Sequence, residues 1–147
     1  VVEYMNRRTS QKVHIDYDIS PLGAYSEVPA AASAPLMVKV NPQLFEWVFE
    51  NLCKNAVDAM EGRGEIHINA TADERLLIID VADNGKGIEA KNIQDVFRPG
   101  FTTKKRGWGL GLSLAKRIIE EYHNGRIYVL FSEKLKGTTF RIEMPQG

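Results

Sequence analysis

The chain of 147 residues has a single cysteine, Cys53. It can form no intramolecular disulfide and no cysteine-built metal site, and a reducing compartment suits it. Net charge is also missing, since 19 Lys and Arg balance 19 Asp and Glu. That removes the long-range field that draws proteins to nucleic acid or to anionic membrane surfaces, and neither is expected as a partner. No apolar run approaches the roughly 18–20 residues that cross a bilayer. The opening Val1-Val2-Glu3-Tyr4-Met5-Asn6-Arg7-Arg8 carries neither the apolar core of a secretion signal nor an initiating Met. The expectation is a monomeric piece of a larger cytoplasmic protein, whose other parts can reach the inner membrane. No internal repeat is present, and the length suits one domain with a real core.

What is there is patterned. Residues 12–19 alternate apolar and polar side chains, the period of a strand with one buried face, and Pro21 ends it. Residues 21–35 are rich in Ala and Pro and form an irregular connection, while 36–40 read as a short strand. Asn41-Pro42 then opens a helix, the Asn capping free amides and the Pro taking the first helical position. Leu44, Val48, Leu52, Ala56 and Ala59 carry its apolar stripe to about Met60, and Gly62 and Gly64 stop it. Two hairpins are expected, 65–71 with 75–82 and 126–132 with 138–144. Between them a long basic loop precedes a second helix over 110–122, with Leu110, Leu114, Ile118 and Tyr122 at spacing four. The expected architecture is α+β, a two-layer sandwich with a mixed, mostly antiparallel sheet covered on one face by helices.

Three short stretches carry chemistry. Asn51 and Asn55 project from one side of the first helix a turn apart, and Asp58 continues the row. An amide oxygen there can ligate a Mg²⁺ that keeps most of its bonds to phosphate and water, although an isolated Asn pair is more simply explained by solvation or backbone bonding. Asp83 ends a strand and is followed by Asn84-Gly85-Lys86-Gly87-Ile88, where two glycines let a flat ligand approach. A buried carboxylate accepts a hydrogen bond from the amino group of adenine and rejects the carbonyl of guanine; a plain Asp-Asn-Gly turn is the simpler alternative. Gly107, Gly109 and Gly111 alternate ahead of a helix, where backbone amides hold phosphate. Leu112 stands where a dinucleotide fingerprint needs Gly, and no Gly-Lys-Ser/Thr ending makes a Walker A loop. Lys104 is the first of the basic residues 104–106 that can reach outer phosphates.

Together these segments resemble the catalytic ATP-binding domain of bacterial sensor histidine kinases, of the Bergerat-type ATPase and kinase superfamily. Residues 51–59 look like its N box, 83–88 its G1 box, 96–103 its F box and 107–112 its G2 box. Gly137-Thr138-Thr139-Phe140 is similar to its closing strand. The resemblance implies ATP between the first helix and a flexible lid, with residues 11–147 as the catalytic domain and 1–10 as the end of a preceding helix or linker. It implies Asn55 as the Mg²⁺ ligand, Asn51 and Asp58 near the triphosphate, and Asp83 as adenine reader. Gly85, Gly87 and Ile88 would shape the base pocket. Phe97 and Phe101 would anchor the lid. Thr102, Thr103, Lys104, Gly107, Trp108, Gly109, Leu110, Gly111 and Leu112 would line the phosphates. Thr139, or second to it Thr138, would reach the adenine edge, and Asn51, Asn55 and Lys104 would serve the reaction.

Superfamily members that hydrolyse ATP carry a Glu one turn before the Mg²⁺-binding Asn. Position 51 is Asn, which accepts no proton at neutral pH, and Glu50 points about 100° away around the helix. The resemblance therefore implies transfer of the γ-phosphoryl group to a histidine rather than hydrolysis. The three histidines, His14, His67 and His123, lie in strand patterns or after a helix and read as structural. The acceptor would sit on a separate dimerisation domain of a homodimeric parent, with a response-regulator receiver domain downstream. An ATPase switch and a degenerate nucleotide-sensing or partner-binding module are the alternatives.

Overall fold

The computed structural model describes residues 13–21, 38–72, 75–101 and 111–145. Five strands form one sheet, β1 (Val13–Pro21), β2 (Gly64–Ala72), β3 (Leu76–Asp83), β4 (Arg126–Glu133) and β5 (Gly137–Pro145), in the order β1-β2-β3-β5-β4. β1 and β2 run parallel and every other pair antiparallel. Pro21 closes β1, which is tolerated because β1 is an edge strand.

Helix α1 (Pro42–Ala59) is the connection that makes the parallel pair possible. Its start is local chemistry: the Asn41 side-chain oxygen accepts from the amides of Gln43 at 3.1 Å and Leu44 at 3.2 Å. Val48, Phe49, Leu52, Cys53 and Ala56 form its buried face. They pack on the inward side chains of the sheet, among them Ile66, Ile79, Val81, Phe140, Ile142 and Met144. The other face of the sheet is polar: Arg141 makes two 2.8 Å bonds to the Asp80 carboxylate, and Tyr128 donates to Glu143 at 2.9 Å. His67 meets Asp16 on this face, and His14 is exposed there.

The second helix differs from the pattern in its sequence. It begins within the described residues as α2 (Gly111–Arg117) and widens into a π-turn (Ile118–Tyr122). The buried residues are Ala115, Ile118 and Ile119, whereas Leu114 and Tyr122 are exposed. Of the expected stripe Ile118 is buried, but Leu114 and Tyr122 are not and Leu110 lies outside the described residues: a spacing of four drifts around a 3.6-residue helix, and the wider turn shifts Tyr122 again. His123 follows, buried. Its Nδ1 is 2.8 Å from the Ile118 carbonyl and its Nε2 accepts from the Asn41 amide at 3.0 Å, so one neutral tautomer satisfies both. This ring joins the end of the π-turn to the cap of α1. Residues 38–40 are irregular, not the expected strand, and 36–37 lie outside the described residues. Among the described residues no helix is long and apolar enough to cross a membrane.

Candidate functional site

Asn51 and Asn55 lie at the half-buried margin of the packed face of α1, and Asp58 is exposed one turn on. The next residue in that row, Ala59, is the seat for the loop after β3. A β-carbon placed on Gly85 would stand 2.7 Å from both the carbonyl carbon and oxygen of Ala59, so glycine is required by close backbone approach. The Lys86 amide donates to the Ala59 carbonyl at 2.9 Å, and the Lys86 carbonyl accepts from Leu135 at 2.8 Å. The loop is thus held between the end of α1 and the β4–β5 turn.

Asp83 anchors the loop from the other side. Its Oδ1 accepts the Gly85 amide at 2.9 Å, and the Thr138 amide also bonds the carboxylate. Burial raises the Asp83 carboxyl above its ordinary value, and the two amides pull it down by less. A carboxylate in this setting is an acceptor whose hydrogen bonds are strengthened by partial exclusion of water.

Asp83 pairs with Thr138 across β3–β5, and Ala82 with Thr139. Side chains alternate faces along a strand, so Thr138 shares the helix-covered face with Asp83 while Thr139 points to the opposite face. Of the two threonines, the one on the same face as the Asp83 carboxylate is Thr138, second to Thr139 in the sequence-based expectation and 4% exposed.

Gly111 opens α2 against Asn51. A β-carbon there would lie 2.5 Å from Asn51 Oδ1 and 2.8 Å from Nδ2. Asn51 Nδ2 is buried and has no hydrogen-bond partner among the described residues. A buried donor left in this way costs about 1–3 kcal/mol, which an incoming oxygen recovers. Phe97 packs edge-on against Phe140, ring centroids 6.0 Å apart, with the Lys116 ammonium 5.4 Å from its centre. That fits an anchoring role, and Phe101 is half-buried nearby in sequence. Ile88 and Leu112 pack against the core, and Gly87 takes a φ of 76° that favours glycine. Thr102, Thr103, Lys104, Gly107, Trp108, Gly109 and Leu110 lie outside the described residues.

Two contributors have no expected role at the site. Ala59 closes the expected N box and belongs to the expected apolar stripe of α1, and only its i+4 relation to Asn55 hints at its place under Gly85. Ser132, on β4, accepts the Ile88 amide at 2.7 Å and lies 2.8 Å from Thr138 Oγ1. Pairing of Ser132 with Thr138 in the β4–β5 hairpin is the signal that exposes it.

The residues fit a nucleotide. A half-buried acceptor stands at the sheet end, glycine takes its place where side chains would fill the space, and α1 offers a buried donor with no partner among the described residues. This arrangement fits a nucleotide-binding ATPase fold. Residues 40–147 match the family described as histidine kinase-, DNA gyrase B- and HSP90-like ATPase, and the chain belongs to that family. It is 43% identical over 99 residues to sporulation kinase A of Bacillus subtilis strain 168, covering 67% of this chain and 16% of that protein. It is 38% identical over 108 residues to sensor histidine kinase ZraS of Escherichia coli strain K12, covering 74% of this chain and 23% of that protein. The chain therefore spans less than a quarter of those relatives. The solved catalytic domain of histidine kinase ThkA superposes with a TM-score of 0.72 at 28% identity, over 98% of this chain and 86% of that one. Within the family, the likeness is to the catalytic ATP-binding domains of histidine kinases, and the mixed sheet with helices on one face is their fold.

Proposed function

We propose that this chain binds Mg²⁺-ATP and supplies the γ-phosphoryl group to a histidine on a separate dimerisation domain of the same kinase, in a two-component pathway that ends on a response-regulator receiver domain. The observation that carries this reading is Asn51. One turn before Asn55, where hydrolysis needs a proton acceptor, stands an amide whose nitrogen is a buried donor without a partner among the described residues. Such a group binds a phosphate oxygen and activates no water. Glu50 does not replace it, since consecutive residues of α1 stand about 100° apart around the helix and Glu50 does not share the row of Asn51 and Asn55.

Phosphoryl transfer asks the protein mainly for position and charge compensation. Asp83 and Thr138 hold the base, Gly85 and Gly87 give it room, and Asn51 Nδ2 donates to the triphosphate. Asn55 offers the amide oxygen suited to Mg²⁺, which when bound neutralises phosphate oxygens. No cluster of three or more His, Cys, Asp or Glu among the described residues could hold a metal, so that ion would take its remaining ligands from phosphate and water. The described histidines do not serve as acceptors in this reading: His123 is bonded at both nitrogens, and His14 and His67 lie on the sheet face away from the helices. The relatives named as sensor histidine kinases support the assignment, and its cytoplasmic setting follows from it. Mixing this chain with the parent's histidine-bearing domain, ATP and Mg²⁺ should label a histidine of that domain; ATP turnover to free phosphate by this chain alone, without labelling, would refute it.

A further inference from the structure

We propose that Ser132 is a positioning residue for purine specificity, acting by fixing the direction in which the Thr138 hydroxyl presents its proton. The inference rests on the reading of Asp83 as the base-recognising group. A serine hydroxyl has one proton to give and lone pairs to receive. The Ile88 amide, 2.7 Å away, donates to Ser132 Oγ. The serine proton then has two acceptors in reach, Thr138 Oγ1 at 2.8 Å and the Gly137 carbonyl at 3.4 Å. Either hydroxyl can donate in the short pair, and because the Gly137 contact is long, the serine proton is assigned to Thr138.

Thr138 Oγ1 is thereby an acceptor toward Ser132 and keeps its own proton for another partner. Thr138 stands across the β3–β5 register from Asp83, and its amide already bonds the Asp83 carboxylate. The end of the sheet thus presents an acceptor-only carboxylate next to a hydroxyl donor. That pair complements the edge of a 6-aminopurine, whose exocyclic amino group donates and whose adjacent ring nitrogen N1 accepts. A 6-oxopurine offers the reverse pattern, a carbonyl and a ring N–H, and is opposed at both positions. Without Ser132 the threonine proton is undirected, and the hydroxyl accepts as readily as it donates. Ser132 therefore relays the Ile88 amide dipole to the base, directly or through one water of the same polarity.

The test is calorimetric titration of the chain and of Ser132→Ala and Ser132→Thr with ATP, 1-deaza-ATP, which has carbon in place of N1, and purine riboside triphosphate, which lacks the amino group. The unsubstituted chain should bind 1-deaza-ATP about tenfold more weakly than ATP, the size of one directed hydrogen bond. In Ser132→Ala this discrimination should shrink to about threefold or less, with the loss against purine riboside triphosphate unchanged, and Ser132→Thr should restore it. Undiminished discrimination against 1-deaza-ATP in Ser132→Ala would overturn the proposal. So would equal binding of ATP and 1-deaza-ATP by the unsubstituted chain, a result that needs no variant to fold. If the unsubstituted chain also binds purine riboside triphosphate as well as ATP, the Asp83 reading falls too; loss with that analogue alone sinks only the role of Ser132.

Discussion

Gly85 lies so close to Ala59 that a β-carbon on it would stand 2.7 Å from that residue's carbonyl carbon and oxygen. The Gly85 loop is therefore seated on the last turn of the helix that carries Asn51 and Asn55. The two walls of the site share one piece of backbone. Gly85→Ala should force them apart, weakening ATP binding by more than about tenfold and lowering stability by about 1–3 kcal/mol. Nucleotide titration beside a thermal melt checks both, and a variant unchanged in either would show that the loop has slack.

Asp83 ties affinity to pH with a definite sign. Burial, the larger cause, raises its carboxyl, while the Gly85 and Thr138 amides lower it. A raised carboxyl favours the protonated form in the folded state, so this contribution to stability is present at low pH and lost as pH rises through the raised value. Asp83→Asn should therefore leave neutral-pH stability unchanged or slightly higher. Binding has the opposite sign, because only the ionised carboxylate is acceptor-only. ATP affinity should fall as pH drops through the raised Asp83 value, above its ordinary one, and Asp83→Asn should lose about tenfold at neutral pH and show a flatter profile. Parallel pH titrations of the two proteins decide this.

Asn55→Ala should weaken binding of Mg²⁺-ATP by about tenfold while changing binding of metal-free ATP much less, as removal of a single metal-ligating oxygen predicts. Titrations with and without EDTA measure the difference. Equal losses would place Asn55 outside the metal's ligands.

Cys53 reports on the core. Burial, aided by the Glu50 charge, pushes its thiol up to about 11, and the side chain is 1% exposed. Both features suppress the thiolate that reacts. A thiol reagent near neutral pH should label it only at the rate at which α1 leaves the sheet, and labelling should accelerate in denaturant. Fast labelling of the native chain would contradict this packing.

Residue type alone revealed the features that depend on local backbone chemistry. Asn41-Pro42 reads as a helix start because the cap is made within four residues, and Gly85 and Gly87 read as a close approach because no other residue allows it. Features that depend on long-range register were not legible. Thr138 and Thr139 are equivalent until the pairing with β3 shows which one shares Asp83's face. Of the stripe expected at Leu110, Leu114, Ile118 and Tyr122, Ile118 is buried, but Leu114 is exposed because a spacing of four drifts around the helix, and the π-turn, invisible in apolar spacing, carries Tyr122 further out. Ser132 belongs to no motif, since its proposed role arises from neighbours on two other segments of chain, Ile88 after β3 and Gly137 and Thr138 at the start of β5. The expected parts of the lid from Thr102 to Leu110 lie outside the described residues and remain sequence-based proposals.

The proposed role of Asn51 in favouring phosphoryl transfer over hydrolysis is addressed directly by one measurement. The chain is incubated with γ-labelled ATP, Mg²⁺ and the parent's histidine-bearing domain, and both phosphohistidine and free phosphate are followed with time. The account predicts that label accumulates on a histidine of the partner domain, with little free phosphate released by this chain alone, and that Asn51→Ala reduces transfer. Release of phosphate by this chain at rates independent of the partner domain, with no phosphohistidine formed while ATP is bound, would contradict it.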